Sequence, residues 1–408
     1  MTRPFDLIVF GASGFTGRLV AEYLQRTLGP DVRWALAGRT TGKLAEVRHA
    51  IGASPALPLL TADASDAAAM AALVRQARVV ITTVGPYQRY GEALVTACAE
   101  AGTDYVDLCG EPLWMAKMIP RLQGPAQRSG ARIVFSCGFD SIPFDLGVVF
   151  LQTQLQQRLG AFAPQVRARV TVMKGALSGG TAASALASFE QIGRERGLAK
   201  VMADPFALTP GFRGPAQPDG DVAGFDDWSQ AWCGPFVMAA INTKTVHRTH
   251  ALRGHPWGTG FTYDERLQTG TGKVGEVAAK TLARQARVQN LLLGLAPTRA
   301  LLRRFALPQP GQGPGPRARE AGRFEVLLTG QVADGRRGTV RVTGDRDPGY
   351  GSTSKMISEA ALCLLQDVDQ AATPGGVWTA GAAMGLALVR RLHAHAGVRF
   401  EWRDGGGA

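Results

Sequence analysis

The first third of the chain alternates between short apolar runs and longer stretches with helical periodicity. The first apolar run, at residues 5–10, ends at a glycine-rich turn, and an amphipathic helix is predicted over residues 18–24. Further runs of strand length lie at residues 32–37, 56–60, 78–84, 105–108 and 132–136, with helical patterns at 67–76 and 92–101. A helical region after residue 112 is predicted to break near Pro120 and Gly124. This alternation predicts an α/β fold with a Rossmann-type doubly wound parallel sheet, whose strand ends meet at one edge.

The pattern changes after about residue 145. Strands with alternating polarity are predicted at residues 166–173, 261–267 and 324–332, and Asp334-Gly335 is predicted to form a hairpin turn into residues 339–342. Helices are predicted at residues 181–194, 235–245, 275–305, 353–367 and 376–395, with a Gly/Pro loop at 311–316. The second region is therefore predicted to be an α+β domain built on a mostly antiparallel sheet, with domains at residues 1–145 and 146–351.

Composition limits the class of protein. The 408 residues are 45% hydrophobic, which supports a full core, and the net charge is +12. Such a charge suits nucleic acid, an acidic lipid surface or an acidic protein partner. The arginines are scattered with no aromatic-interleaved basic motif, so nucleic acid binding is not expected. A peripheral membrane contact and a homodimer both stay open.

Cysteine usage and hydropathy point to a reducing compartment. The 5 cysteines have no paired spacing, which predicts reduced thiols and no zinc site. No apolar stretch reaches the ~18 residues that a spanning helix needs, and Asp6 interrupts the first apolar run, so we expect no signal peptide. His247, His250 and His255 lack the spacing of a helical metal pair and are predicted to be surface or pocket residues without metal. We expect a cytoplasmic protein.

The turn after the first strand predicts dinucleotide binding. Gly11, Gly14 and Gly17 follow a G-x-x-G-x-x-G spacing between a strand and a helix. Side chains there would block the turn, the approach of a pyrophosphate and the contact between helix and strand. The alternative is an ordinary glycine-rich turn between a strand and a helix.

The end of the second strand indicates NADP(H). Sites for NAD usually place an acid about 20 residues beyond the first glycine, where it accepts from the ribose 2′-OH. Gly38 and Arg39 occupy that position here, and Lys43 lies one helical turn further on. A guanidinium suits a 2′-phosphate. The alternative for Arg39 is a solvated side chain at a strand end.

Side chains after the other strands are candidates for cofactor contact and catalysis. Gly85-Pro86-Tyr87 follows the fourth strand, and Tyr87 could contact the cofactor, donate a proton or simply pack in its loop. Asp63 could accept from the adenine amine or act as a loop acid near a helix N-terminus. Glu111 and Asp140 could orient the nicotinamide or supply a proton, or be satisfied by backbone N–H groups. Cys137 is either a thiol donor beside the nicotinamide or a small buried residue.

Several blocks together carry a family resemblance. Residues 11–17, 37–39, 84–87, 105–111 and 137–143 resemble the saccharopine dehydrogenase-like oxidoreductases, and within that group the chain is most similar to bacterial trans-acting enoyl reductases. The blocks at residues 178–181, 235–239 and 347–350 support this resemblance in the second half. Ser178-Gly179-Gly180-Thr181 precedes a helix, where it is a candidate substrate-binding turn or a plain cap. The chain departs from the family pattern at Trp257-Gly258 and Thr379-Ala380.

The resemblance implies an architecture and a reaction. It implies an NADP-binding Rossmann domain, a substrate domain, and C-terminal helices at residues 352–400 that pack back on the first domain. It also implies NADPH-dependent reduction of an enoyl group on an acyl-carrier domain or polyketide synthase, with a lipidic substrate. The candidate catalytic residues are Tyr87, Cys137 and Asp140. The candidate cofactor-binding residues are Gly11, Ser13, Gly14, Phe15, Thr16, Gly17, Arg39, Lys43, Asp63, Val84, Gly85, Pro86, Tyr87, Glu111 and Cys137.

Two other functions remain open from the residues alone. One is a dehydrogenase acting at a C–N bond, whose polycarboxylate substrate would require convergent cations in the second domain. Arg167, Arg169 and Lys174 offer little order for such a site. The other is a regulator that binds NADP(H) without turnover, because no catalytic constellation stands out.

Overall fold

A computed structural model describes residues 3–175, 179–195, 197–299 and 313–403. Three predicted features lie wholly or partly outside these ranges. They are the first residue of the Ser178 turn, residues 300–305 of the helix predicted over 275–305, and residues 311–312 of the loop predicted over 311–316. Within the described residues, the helix predicted over 275–305 ends already at Gly294.

The first sheet has seven parallel strands, which confirms the predicted doubly wound architecture. Their order across the sheet is β13-β6-β5-β4-β1-β2-β3. The strands are β1 Phe5–Phe10, β2 Trp34–Gly38, β3 Leu59–Thr61, β4 Ala77–Thr82, β5 Asp104–Val106, β6 Arg132–Val134 and β13 Gly376–Trp378. Ile8 in the central strand pairs with Ala35 on one side and Val80 on the other, and all three are fully buried. Burial on both faces explains why these strands are continuous apolar runs.

The second sheet also has seven strands and is mostly antiparallel, as predicted. Its order is β14-β12-β11-β7-β10-β9-β8, and within it the pair of β7 and β10 is parallel. The strands are β7 Gln165–Lys174, β8 Gly224–Asp226, β9 Ala231–Pro235, β10 Thr262–Gly270, β11 Arg323–Gln331, β12 Arg337–Gly344 and β14 Val398–Arg403. Gly335, with φ of 90°, lies in the turn between β11 and β12 at the predicted hairpin.

The α-helices pack against both sheets. They are Phe15–Thr27, Thr41–Ala50, Ala67–Val74, Tyr87–Tyr90, Glu92–Ala101, Pro112–Ser129, Ile142–Leu159, Gly179–Arg194, Leu198–Ala203, Ala239–Leu252, Gly272–Gly294, Pro316–Glu320, Thr353–Gln366, Ala380–Ala383 and Gly385–Arg391. Two short π-helical segments lie at Pro348–Ser352 and Leu392–Ala396. Among the described residues, no helix is long and apolar enough to cross a membrane.

Three sequence predictions about elements are wrong. The helix Pro112–Ser129 continues through Pro120 and Pro125 instead of breaking, because one apolar face, including Met115, Met118 and Leu122, is buried in the core. Residues 376–378 form β13 rather than helix, since they pair with β6. The helix predicted at 235–245 begins only at Ala239, because Ala231–Pro235 pairs with β10 as β9.

The two halves share one continuous hydrophobic core. The helix Ile142–Leu159 packs against β11 and β12, and the helix Thr353–Gln366 packs against Phe15–Thr27 and β4. Tyr23 Oη donates to Glu359 Oε1 at 2.6 Å across the second of these contacts. Residues near the C-terminus thus contact the first sheet, while the division at residue 145 stays a prediction.

Candidate functional site

One cavity of about 770 Å³ lies at the carboxyl ends of the parallel strands. Loops after β1, β2, β3, β4, β5 and β6 all contribute to its lining, and residues of the second half close its far side. The predicted site residues that line it are Gly11, Ser13, Gly14, Phe15, Thr16, Arg39, Lys43, Asp63, Val84, Gly85, Pro86, Tyr87 and Asp140. Gly17, Glu111 and Cys137 do not belong to the described lining. In an open α/β sheet this edge is where ligands bind.

The three glycines of the first turn have three different steric roles. Gly11 has a φ of 86°, and a Cβ there would lie 2.5 Å from Val84 Cγ2. A Cβ on Gly17 would lie 2.1 Å from the Gly11 carbonyl oxygen, so this glycine permits the contact between helix and turn. The Gly14 position is open apart from the Gly11 oxygen at 3.3 Å, and Gly14 lines the cavity. Gly14 is therefore the position where a ligand in the cavity can approach the backbone without meeting a side chain.

The helix Phe15–Thr27 presents its N-terminus to the same cavity. No side chain caps it, its first turn contains no acid, and Phe15 and Thr16 line the cavity. Free N–H groups and the positive end of the helix dipole favour a bound anion. The bare glycine and the uncapped helix together fit the pyrophosphate of a dinucleotide.

Two cations lie beyond this turn, at the end of β2. Arg39 and Lys43 are exposed and line the cavity, and neither has a hydrogen-bond or ion-pair partner in the part of the chain that the structure describes. Asp63 also lines the cavity, and hydrogen bonds from Ser65, together with the charge of Arg39, lower the pKa of its carboxyl group. Unpartnered cations at this position fit a 2′-phosphate.

Tyr87 lines the cavity, but its hydroxyl group is committed to the backbone. The Tyr87 hydroxyl donates to the Thr82 carbonyl at 3.2 Å and accepts from the Leu108 N–H at 3.0 Å. Burial raises the pKa of this phenol well above its ordinary value. The geometry contradicts the prediction that Tyr87 donates a proton, while a contact of its ring with the cofactor stays a prediction.

Glu111 organises the loop after β4 instead of facing the cavity. Its buried carboxylate accepts from the N–H groups of Tyr87 at 2.8 Å and Gln88 at 2.9 Å, and from the Ser184 hydroxyl at 2.7 Å. Burial raises its pKa, although these donors oppose the shift. The prediction of a direct cofactor contact by Glu111 is wrong, because its oxygens cap the helix Tyr87–Tyr90.

Cys137 is a buried structural residue. Its side chain is 0% exposed, its Sγ lies 3.6 Å from the Val134 carbonyl oxygen, and burial raises its pKa well above the ordinary value. Its N–H donates to the Asp107 carbonyl at 2.7 Å. Both predicted roles of Cys137, in catalysis and in cofactor binding, are therefore wrong.

Asp140 lies where the cavity reaches the second half of the chain. Its Oδ2 accepts from the Thr181 hydroxyl at 3.4 Å. Desolvation raises the pKa of the Asp140 carboxyl to about 6, although the Thr181 hydrogen bond opposes this shift. A carboxyl group with such a pKa can hold or release a proton near neutral pH.

Tyr350 is a neighbouring cavity residue whose role sequence reasoning missed. Its hydroxyl accepts from the Gly179 N–H at 2.9 Å, at the start of the helix Gly179–Arg194, and its ring packs edge-on against Phe15 at 4.8 Å. Gly180 and Thr181 also line the cavity there. The block at residues 347–350 carries part of the family resemblance, but no local pattern indicates that Tyr350 meets the glycine turn after β1.

The three histidines lie away from the cavity. His247 and His250 are each 2% exposed and pack among aromatic rings, with His250 stacked on Trp257 at 4.8 Å. His255 contacts Phe212 at 4.1 Å in the same cluster. The expectation that they are surface or pocket residues is wrong for His247 and His250, because the helix Ala239–Leu252 turns both side chains toward the core. His255 follows this helix and is half-buried.

Comparisons with known proteins agree with this architecture. Residues 7–134 match the family described as saccharopine dehydrogenase NADP binding domain, which assigns NADP(H) as the cofactor. The chain is 39% identical to a Mycobacterium tuberculosis (strain H37Rv) protein named "Putative trans-acting enoyl reductase", over 98% of this chain and 97% of the relative. It is 36% identical to the "Trans-acting enoyl reductase" of Mycobacterium bovis (strain BCG), over 96% of both chains. Saccharopine dehydrogenase (L-Glu forming) from Saccharomyces cerevisiae shares the fold, with a TM-score of 0.55, 12% identity, and coverage of 98% of this chain and 99% of that one.

Proposed function

The chain belongs to the trans-acting enoyl reductases within the saccharopine dehydrogenase-like oxidoreductases, and from this premise we propose that it reduces the 2-enoyl double bond of a carrier-bound acyl thioester. Polyketide and fatty acyl chains are the candidate substrates. NADPH, when bound, supplies the hydride. The overall reaction consumes one NADPH and one proton, and gives NADP⁺ and the saturated acyl thioester.

The distribution of charge in the cavity carries this proposal. Among the described lining residues, the cations are Arg39 and Lys43, and both lie at the end that fits the dinucleotide. The far end is lined mainly by uncharged groups, and Asp140 is the charged residue there. An uncharged acyl chain suits such an end, whereas a substrate with several carboxylates would require cations.

The arginines of β7 are already neutralised. Arg167 contacts Asp226 at 2.6 Å and Asp227 at 2.5 Å, and Arg169 contacts Asp226 at 3.1 Å and Asp264 at 3.0 Å. Burial opposes ionisation of Asp226, but Arg169 and its other hydrogen-bond donors outweigh burial and lower its pKa. These side chains are not free to bind a polycarboxylate, which argues against a substrate of the saccharopine type.

Asp140 is our candidate for the group that delivers the proton. Addition of hydride at the β-carbon leaves negative charge on the thioester carbonyl oxygen and a need for a proton at the α-carbon. The Asp140 carboxyl, with its pKa raised to about 6, can supply that proton directly or through one water molecule.

The start of the helix Gly179–Arg194 is our candidate for stabilising the developing oxyanion. Tyr350 accepts the Gly179 N–H at 2.9 Å, so its own hydroxyl proton is directed to another acceptor. The positive end of the helix dipole lies beside it. A hydroxyl proton and a helix N-terminus aimed at a developing negative charge are an arrangement that lowers the barrier.

A substrate panel tests the proposal. Purified protein and NADPH are mixed with a short free 2-enoyl thioester, a carrier-bound long 2-enoyl thioester, or saccharopine with NADP⁺, and nicotinamide absorbance is followed. We expect turnover of enoyl thioesters and none of saccharopine. Turnover of saccharopine alone would overturn the reaction class. Binding of NADPH without turnover of any substrate would favour a regulator.

The carrier is tested in the same assay. The net charge of +12 should speed encounter with an acidic carrier domain, so added salt should slow reduction of the carrier-bound substrate more than that of the free one. Equal rates for free and carrier-bound substrates, with no salt dependence, would contradict action in trans on a carrier.

A further inference from the structure

The helix Gly272–Gly294 exposes an unusual amount of apolar surface. Its small residues Gly275, Ala279 and Ala283 are buried, and the helix contacts β9 and β10. Of the ten exposed large hydrophobic side chains in the described part of the chain, six belong to this helix or to the residue that follows it. They are Val274, Val277, Val288, Leu291, Leu292 and Leu295. Solvated apolar side chains are normal singly, but a concentration of this kind marks an interaction site.

These side chains form a stripe along the outside of the helix. At 3.6 residues per turn, Val277 and Val288 point directly away from the buried face marked by Ala279 and Ala283. They are 54% and 51% exposed, and Leu292 continues the same face. We call Val274, Val277, Val288, Leu291, Leu292 and Leu295 the apolar stripe. The helix of 23 residues is about 34 Å long, and the stripe occupies its first part, at Val274 and Val277, and its last part, from Val288 to Leu295.

Cations line one flank of the apolar stripe. Lys273, Lys280, Arg284 and Arg287 are exposed and follow one another along the same side of the helix. The helix contains one acid, Glu276, which pairs with both lysines and has a side chain only 20% exposed. The opposite flank contains the uncharged residues Ala278, Gln285 and Gln289. The exposed surface of this helix therefore combines apolar side chains toward its two ends with four cations along one side.

We propose that the apolar stripe docks on an anionic lipid bilayer, with the helix lying in the plane of the interface. An interfacial helix needs an apolar face that enters the boundary between headgroups and acyl chains, together with Lys or Arg that meet anionic lipids. The apolar stripe and its cationic flank supply both on the exposed side of one helix. The net charge of +12 acts in the same direction. This proposal does not depend on the reductase activity.

The helix Gly272–Gly294 also links the proposed bilayer contact to the cavity. Gly272–Gly294 also contacts the helix Gly179–Arg194, whose first residues line the cavity. Docking along the apolar stripe would therefore bring the helix that borders the cavity near the bilayer surface.

Vesicle sedimentation of the full chain tests the proposal. We expect the protein to sediment with vesicles containing phosphatidylglycerol, to bind much less to phosphatidylcholine vesicles, and to be released by salt. The double variant Val277→Glu with Val288→Glu should lose binding, whereas Val237→Glu, at a valine that is 56% exposed elsewhere, should bind as the wild type does. Far-UV circular dichroism and NADPH affinity of each variant show that it is folded.

The cations give a graded test. Arg284→Gln with Arg287→Gln should weaken binding to anionic vesicles roughly 30-fold, since each cation near such a surface contributes about a factor of five. Arg75→Gln with Arg390→Gln removes two exposed cations elsewhere and should change binding little.

Three results would overturn the proposal. The first is a wild-type protein that stays in the supernatant with anionic vesicles. The second is binding that the stripe variants do not reduce. The third is a dimer in solution that the stripe variants convert to a monomer without any effect on lipid binding, which would assign the apolar stripe to a second copy of the chain. Reduction of a free short enoyl thioester should be unchanged in the stripe variants, so the reductase proposal is tested separately.

Discussion

The two ends of the cavity are built in different ways. The end that fits the dinucleotide uses backbone and local sequence: Gly14 leaves the turn bare, the next helix is uncapped, and Arg39 follows the neighbouring strand. The other end uses side chains from distant parts of the chain. Asp140, Thr181 and Tyr350 meet there although about 210 residues separate the first from the last. In our proposal the first end binds the cofactor, which many enzymes share, whereas the second end is shaped for one substrate.

The largest expected effect is the loss of cofactor binding at the first end of the cavity. Gly14→Val should abolish NADPH binding, because a branched side chain would fill the space left for the pyrophosphate. The fold should survive, since a Cβ at Gly14 meets only the Gly11 oxygen at 3.3 Å. Fluorescence titration with NADPH measures the loss. Gly29→Val, at a glycine with no neighbour within 4 Å, is the matched control, and wild-type affinity in Gly14→Val would place the phosphate site elsewhere.

The next largest effect is a loss of catalytic rate from a variant at the second end of the cavity. Asp140→Asn should lower kcat for an enoyl thioester by about a hundredfold or more, which is the usual contribution of a positioned acid, and leave NADPH affinity unchanged. Because the protonated carboxyl is the active form, kcat/KM of the wild type should fall as pH rises through about 6, the pKa expected for Asp140. Steady-state rates between pH 5 and 9 check both points.

The variant Thr181→Val tests whether the pH dependence of kcat/KM belongs to Asp140. The hydrogen bond from Thr181 lowers the pKa of Asp140, so its removal should move the fall in kcat/KM to higher pH. An unchanged profile in Thr181→Val, or a normal kcat in Asp140→Asn, would transfer the proton donor to another group.

A smaller effect concerns the choice of cofactor at the first end. Arg39→Ala should weaken NADPH binding by ten- to a hundredfold, equivalent to about 1.5–3 kcal/mol for one lost charge-assisted hydrogen bond. NADH binding should hardly change, because it has no 2′-phosphate. Titration of both cofactors measures the ratio, with Arg75→Ala as an exposed cation away from the cavity. Equal weakening of both cofactors would contradict contact between Arg39 and the 2′-phosphate.

The smallest effect on activity is expected at Tyr87. The variant Tyr87→Phe removes the hydroxyl group, which proton donation requires, and keeps the ring, which could contact the cofactor. Tyr87→Phe should keep kcat and KM within about twofold, and lower the free energy of unfolding by about 1–3 kcal/mol, because the Leu108 N–H loses its acceptor. Urea unfolding and steady-state kinetics measure the two quantities. A large loss of kcat with normal stability would restore Tyr87 as a proton donor.

The same contrast explains how much could be predicted from sequence. Local patterns predicted β1 and the helix Glu92–Ala101 at their observed bounds, with Gly102 ending that helix at a φ of 68°. The strand β13 was missed, since its partner β6 lies far away in sequence. Tyr350 was missed as a site residue for the same reason. Glu111 and Cys137 were misassigned because sequence places a residue after a strand but does not fix the direction of its side chain.

The central claim is that both ends of the cavity form one active site. Its most direct test is isotope transfer from NADPH that carries deuterium at the reactive C4 position of the nicotinamide, with a 2-enoyl thioester as acceptor. Mass spectrometry of the product should show one deuterium at the β-carbon. The Gly14→Val variant should give no deuterated product, because it is not expected to bind NADPH. A saturated product without deuterium from either C4 position, or no saturated product from any enoyl thioester, would contradict the account.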